Sequence, residues 1–204
     1  MTRIDDIDAV LLDLGGVLID IVGAECMLEW CPSLPDTETL WNRWLASPSV
    51  RRYETGRATR ASFAASIVEE FALPITPEAF LAEFAWWPRR LHDGACELLD
   101  ELRPRFRLAS LSNTNELHWE RFARDWALPA RFDANFPSYA VGRLKPDADY
   151  FEQVLATLGV PASRALFIDD NAINVAAAAR LGIVARRAVR PSGVRDVLAE
   201  LGFR

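Results

Sequence analysis

Ala9-Val10-Leu11-Leu12-Asp13-Leu14-Gly15-Gly16-Val17-Leu18 is the stretch on which the reading of this sequence turns. Four apolar residues run unbroken into an acidic one, and two glycines follow shortly after. A short apolar run bounded by polar residues and glycine suits a strand buried on both faces of a parallel sheet. Asp13 then stands at the carboxyl end of that strand, which is where open parallel sheets bind ligands.

Working outward, similar runs predict strands over 106–111, ending at Ser112; over 132–136; over 165–168, ending at Asp169-Asp170; and over 183–185. Helical patterns separate them. The 95–102 segment has Cys96, Leu98, Leu99 and Leu102 on one face, and 116–126 places Leu117, Phe122 and Trp126 similarly. Segments 150–158 and 175–181 repeat the theme, and Gly182 is a natural helix stop. Strands alternating with helices predict an α/β fold, a Rossmann-like parallel sheet covered by helices.

Residues 21–87 break the alternation and read as helical throughout. Asp36 or Thr37 can cap a helix bearing Leu40, Trp41, Trp44 and Leu45; 61–71 forms another, ended before Pro74; Pro77 suits the first turn of a third. The expected organisation is a catalytic core from 1–20 and 88–204, with a small helical cap domain, 21–87, inserted after the first strand.

Such a sheet brings together Asp13, Ser112, Asp169, Asp170 and Lys145, the last in Gly142-Arg143-Leu144-Lys145-Pro146 after the third strand. Carboxylates are hard oxygen ligands that suit magnesium. A lysine supplies a point charge for phosphate oxygens.

Four segments in order carry a resemblance. Asp13-Leu14-Gly15-Gly16-Val17-Leu18, Leu111-Ser112-Asn113-Thr114-Asn115, Lys145-Pro146, and Phe167-Ile168-Asp169-Asp170-Asn171 with Asn174 resemble the four motifs of the haloacid dehalogenase superfamily. The helical stretch resembles the cap that this superfamily places after its first motif. Asp-Leu-Gly-x-Val, the Ser-Asn-Thr-Asn-x-Leu-His stretch and Tyr53-Glu54-Thr55-Gly56 are similar, more narrowly, to bacterial α-D-glucose-1-phosphate phosphatases.

The resemblance implies a magnesium-dependent phosphatase acting on a small phosphorylated metabolite such as a sugar phosphate. Asp13 would be the nucleophile, forming an aspartyl-phosphate. Magnesium would be held by Asp13, the Gly15 carbonyl and Asp170, with Asp169 near or in the coordination sphere. Ser112 and the amides of Asn113, Leu14 and Gly15 would hold phosphate oxygens, Lys145 would offset charge, and Asn174 would support the acidic loop. Glu54 would face the substrate from the cap.

One position departs from the pattern. Most phosphatases of this superfamily carry a second Asp two residues after the nucleophile, as general acid and base; here Gly15 stands there. General acid–base help is worth roughly 100- to 10,000-fold. Another group must substitute, or the enzyme must be slow, or its substrates must have good leaving groups, as glucose 1-phosphate has relative to glucose 6-phosphate. Glu54, His118 and Asp20 are the candidate substitutes. Each also has a plainer reading: Glu54 as a solvated helix end, His118 as packing on an amphipathic helix, Asp20 as structural. Asp169 alone could serve as a helix cap.

Two further readings compete. A 2-haloacid dehalogenase-like hydrolase also uses an Asp nucleophile and lacks the second Asp, though paired acidic residues suit a metal better than a metal-free halide site. A catalytically weak binding or regulatory protein would explain the lost carboxylate.

Trp30, Trp41, Trp44, Trp86 and Trp87 concentrate in the helical stretch. Cap core is the default reading for these aromatics; Trp86 and Trp87 cannot both face one core, so the alternative is that one of them lines the cleft or a subunit contact, which leaves room for a homodimer. Arg51, Arg52 and Arg57 flank Glu54.

The 204 residues, 50% hydrophobic and 25% charged, suit one filled core plus a small accessory domain. A net charge of -6 without a basic run argues against nucleic acid and anionic membrane as partners. The 3 cysteines form no CxxC pair, and the 2 histidines lie in separate segments, which argues against a disulfide framework or zinc site. The first residues, Met1-Thr2-Arg3-Ile4-Asp5-Asp6, lack a signal-peptide pattern, so a cytoplasmic location is expected.

Overall fold

The computed structural model describes residues 3–31 and 35–203, so Met1 and Thr2 of the N-terminal reading lie outside it. Five strands form one parallel sheet: β1 (Ala9–Leu12), β4 (Arg107–Ser112), β5 (Ala134–Pro137), β6 (Ala165–Asp169) and β7 (Val184–Arg187), in the order β5-β4-β1-β6-β7. Every residue of β1 is buried because it is the central strand, paired in register with Arg107–Ser110 on one side and Ala165–Ile168 on the other.

Alternation along β1 divides the core. Val10 and Leu12 pack with helices α6 (Ala95–Leu102), α7 (Glu116–Trp126) and α11 (Arg190–Glu200). Ala9 and Leu11 face the other way, toward α9 (Ala148–Leu158) and α10 (Ala172–Arg180), through Tyr150, Phe151, Val154, Ala177 and Ala178. A one-turn helix, α8 (Ser138–Val141), follows β5. This is the expected α/β architecture, with strand ends shifted by a residue or two.

A second ladder departs from the sequence reading. β2 (Ile19–Ile21) pairs antiparallel with β3 (Pro88–Leu91). Ile19 faces Leu91 and Asp20 faces Arg90, and the chain leaves and re-enters the core along these two strands. Neither segment is long or apolar enough to signal a strand by itself; the pairing exists because the two ends of the helical insertion lie side by side.

Between them run α1 (Gly23–Trp30), α2 (Thr37–Ala46), α3 (Pro48–Glu54), α4 (Arg60–Phe71) and α5 (Pro77–Phe84). Local chemistry sets their starts. Asp36 accepts from Thr39 N (2.7 Å), Ser47 caps α3 ahead of Pro48, Thr59 and Ser62 form a reciprocal box, and Thr76 caps α5 ahead of Pro77. The five helices close around their own apolar cluster, with Trp44, Tyr53, Phe63, Phe80, Phe84 and Trp87 at its centre.

The insertion is seated on α7. His118 Nε2 lies 2.7 Å from the Phe84 carbonyl, Arg121 Nη1 donates to the Ala85 carbonyl (3.1 Å), and Tyr53 OH donates to Glu116 Oε1 (3.1 Å). Trp87 is buried while Trp86 is exposed, with the Arg121 guanidinium 4.2 Å from its ring centre. Among the described residues, no helix is long and apolar enough to cross a membrane.

Candidate active site

The carboxyl ends of β1, β4 and β6 converge. Asp13 follows β1 directly, Ser112 ends β4, and Asp169-Asp170 close β6. Lys145 arrives from the loop after α8 and is clasped by Asn113: Asn113 Nδ2 donates to the Lys145 carbonyl (2.8 Å) and Lys145 N donates to Asn113 Oδ1 (2.9 Å). Lys145 Nζ then donates to Asp13 Oδ1 (2.6 Å), Asp169 Oδ2 (2.6 Å) and the Leu111 carbonyl (2.8 Å).

The two acidic residues of β6 are held differently. Both oxygens of Asp169 are in use: Oδ1 accepts from Asn171 N (2.8 Å) and Oδ2 from Lys145, while Asn174 Nδ2 reaches both at 3.2 and 3.1 Å. Asp170 is held through its backbone, whose carbonyl accepts from Arg187 Nε (2.7 Å). Its carboxylate takes no hydrogen bond from another side chain among the described residues.

Gly16 makes this approach feasible. It adopts a positive φ of 69°, and a Cβ there would collide with the Asp170 carboxylate. The amides of Leu14, Gly15 and Asn113 donate to no protein acceptor among the described residues, and the Ser112 hydroxyl has no side-chain partner there.

Electrostatics follow from burial. Burial pushes the Asp13 carboxyl upward; Lys145 opposes this, and Asp169 and Asp170 add to it. Asp170 is pushed up to about 6, by burial first and then by Asp169, against Lys145. Burial works against the ammonium of Lys145, but Asp13 and Asp169 hold it charged, well above the ordinary lysine value. One oxygen from each of Asp13, Asp169 and Asp170 lies within 4.8 Å of the others. Once ionised, three carboxylates against one ammonium leave a surplus of negative charge on hard oxygen donors, a donor set that fits magnesium.

Glu54, the last residue of α3, lies half-buried over this centre. It lines one cavity with Asn113, Lys145 and Asn174 and another with Ser112 and Asp170. Burial pushes its carboxyl up to about 7, with Lys145 pulling the other way. The other two candidate proton carriers fare worse. Burial, aided by Arg121, pushes His118 down to about 4 even though it bonds the Phe84 carbonyl; Nδ1 lies 3.2 Å from Asn115 Nδ2, so both nitrogens are engaged. Asp20 is 3.5 Å from Arg90 across the β2–β3 ladder.

Two features escaped the sequence reading. Arg187 ends β7, and the logic of strand ends could have flagged it. The apolar side of the cleft, with Trp41, Leu45 and Ile173, left no signal, because those residues meet only in the folded chain.

Known proteins extend the picture. The chain is 24% identical to the D-ribitol-5-phosphate phosphatase of Bacteroides thetaiotaomicron over 85% of this chain and 87% of that one. It is 29% identical to drimenol cyclase of Aspergillus calidoustus over 86% of its own length, but spans only 33% of that enzyme. Among solved structures, a haloacid dehalogenase family enzyme of Bacteroides thetaiotaomicron in complex with magnesium and inorganic phosphate superposes with a TM-score of 0.72, at 26% identity over 89% of this chain and 94% of that one. The L-2-haloacid dehalogenase of Xanthobacter autotrophicus with chloropropionic acid covalently bound gives 0.63, at 25% identity over 97% and 84%. The family model for haloacid dehalogenase-like hydrolases matches residues 7–182, and with the fold and acidic centre just described, the chain belongs to that family of hydrolases.

Proposed function

We propose that this hydrolase is a magnesium-dependent phosphatase that cleaves a small phosphorylated metabolite through an aspartyl-phosphate on Asp13. The observation that carries the reading is the meeting of Asp13, Asp169 and Asp170 around one buried lysine.

In the first step an Asp13 oxygen attacks phosphorus, and the P–O bond to the alcohol breaks. The alcohol takes up a proton as it leaves. Water then attacks the phosphorus of the aspartyl-phosphate, frees inorganic phosphate and restores Asp13. Magnesium, when bound, neutralises charge so that an anionic nucleophile can approach an anionic ester. Asp13, Asp170 and the Gly15 carbonyl would hold it. Asp169, with both oxygens committed to protein donors, anchors Lys145 at the edge of that site. Ser112 and the amides of Asn113, Leu14 and Gly15 take the phosphate oxygens, and Lys145 offsets charge on the transferring group.

Glu54 takes the proton role that Gly15 cannot fill. It faces the centre from the helical insertion, and a carboxyl pushed up to about 7 is matched to proton transfer near neutral pH. Segment 21–87 thus acts as a cap over a core built from 1–20 and 88–204. Anomeric sugar phosphates, and the phosphorylated polyol in the name of the Bacteroides relative, are the first esters to assay.

The test is phosphate release from p-nitrophenyl phosphate with magnesium and with excess chelator. Absence of release with the metal present rejects the reading; undiminished release in chelator rejects the metal. Gly15 and the likeness to the Xanthobacter enzyme favour one second reading, dehalogenation. Chloride release from L-2-chloropropionate without any phosphatase activity would put that reading in its place.

A further inference from the structure

The acidic centre opens into a cavity of about 540 Å³ between the helical insertion and the core. Its ends differ in chemistry. Ser112, Asn113 and Asp170 stand at the reactive end. The insertion contributes Ile21, Trp41, Trp44, Leu45, Phe84 and Trp87 to its wall, with Glu38, Asn42 and Glu54 as the polar members. Ile173, in the first turn of α10, lines the same cavity from the core.

Four large apolar side chains are exposed among the described residues: Leu45 at 49%, Ile173 at 55%, Val189 at 52% and Trp86 at 60%. Trp86 lies beneath the Arg121 guanidinium. Leu45 and Ile173 line the 540 Å³ cavity, and Val189 lines the adjoining space of about 810 Å³ that also opens on Asp13. Single exposed apolar residues need no explanation. Three of four gathered along one cleft do, because apolar surface favours a cover at about 25 cal/mol per Å².

We infer that the ester cleaved here is the monophosphate of an apolar alcohol, whose hydrocarbon body fills the space between Trp41, Leu45 and Ile173 while its phosphate meets Asp13. The inference rests on the phosphatase reading above and narrows it. A polyol in the same place would exchange water for indole and leucine surface, leaving hydroxyls without partners. A cavity of this size falls in the range that buries a small ligand. Ser112, Asn113 and Asp170 stand where the phosphate binds, and six of the nine residues that the insertion gives to the wall are apolar.

The experiment compares kcat/KM for phosphate release from n-butyl, n-hexyl and n-octyl phosphate, below their micelle concentrations, with glucose 1-phosphate and ribitol 5-phosphate. Each added methylene should raise kcat/KM by about two- to fourfold. Octyl phosphate should exceed both polyol esters by at least about tenfold. Leu45→Asn and Ile173→Asn, at exposed positions that tolerate polar residues, should each flatten the dependence on chain length. In parallel, n-octyl and methyl phosphonate, whose carbon–phosphorus bond resists hydrolysis, are titrated by tryptophan fluorescence, since Trp41, Trp44 and Trp87 line the cavity. Phosphate release that ignores chain length, or favours a polyol ester, overturns the apolar site and leaves the phosphatase intact. No release from any ester, with octyl phosphonate still binding at least about tenfold tighter than methyl phosphonate, overturns the phosphatase and leaves the apolar site. No release and no binding preference overturns both.

Discussion

Lys145 Nζ lies 2.6 Å from Asp13 Oδ1 and 2.6 Å from Asp169 Oδ2, so a single buried cation ties the end of β1 to the end of β6. Removing one partner of a buried ion pair leaves uncompensated charge and costs about 3–5 kcal/mol. Lys145→Met should therefore destabilise the metal-free protein by about that much at pH 8, and by less at pH 5, where burial keeps a proton on Asp13. Chemical denaturation at the two pH values measures this. Wild-type stability at pH 8 would mean that the lysine does not hold the two strand ends together.

Magnesium should stabilise the fold, and more so at high pH. Burial raises the Asp13 carboxyl from 3.8 to about 8 and the Asp170 carboxyl from 3.8 to about 6. The folded state thus keeps protons that the unfolded state has released, so the metal-free protein loses stability as pH climbs through those windows. A cation between the ionised carboxylates reverses the loss, by about 2.7 kcal/mol at one hundred times its Kd. Thermal melts with and without magnesium should diverge more at pH 8 than at pH 5. Equal shifts at both, or a shift that survives Asp170→Asn, would place the cation elsewhere.

Asp13→Asn should abolish turnover while the protein still folds, because an amide is a poor nucleophile. Phosphate release is assayed on a preparation whose circular dichroism matches the wild type. Retained activity would sink Asp13 as the nucleophile.

Gly15→Asp should be a gain-of-function variant. A Cβ at Gly15 would meet only ordinary contacts, Ile21 Cγ1 at 3.5 Å and Asp13 Oδ2 at 3.9 Å, so the backbone there accepts a Cβ without a clash. A carboxyl there restores a proton donor beside the nucleophile, a device worth roughly 100- to 10,000-fold. We expect kcat on simple alkyl phosphates to rise by about tenfold or more, with little change on p-nitrophenyl phosphate, whose leaving group needs no proton. No change on alkyl esters would show that the existing donor already suffices.

Glu54→Gln should divide substrates by leaving group. As the acid, Glu54 must be protonated, so kcat on alkyl phosphates should fall as pH rises through about 7. The variant should lose that descending limb and about 100-fold or more in kcat on alkyl esters, while aryl phosphates are largely spared. A descending limb that persists in the variant would assign the proton to another group.

The sheet was legible because β1 is buried on both faces and β4 and β6 pair along its whole length, so all three read as apolar runs ending in reactive residues. Helix starts were legible where a capping side chain lies within three residues of the amide it accepts from, as with Asp36 and Thr39. The β2–β3 ladder was not, because it joins Ile19–Ile21 to residues almost seventy positions away, and each strand is too short to carry a period.

For the site, residue types and their places at strand ends were enough to nominate Asp13, Ser112, Lys145, Asp169 and Asp170. Their division of labour was decided in three dimensions. Asp169 and Asp170 are adjacent in sequence, yet one has both oxygens committed to Lys145, Asn171 and Asn174 while the other lies against Gly16. His118 and Glu54 read alike as spare titratable groups. Burial drove one toward the neutral imidazole and the other toward the protonated acid; His118 has both ring nitrogens engaged by Phe84 and Asn115, while Glu54 also lines the cavity that holds Lys145. Desolvation and direction belong to the packed chain: they depend on which surfaces of the helical insertion and the core exclude water between them, and residues 21–87 do not encode that until they fold against α7.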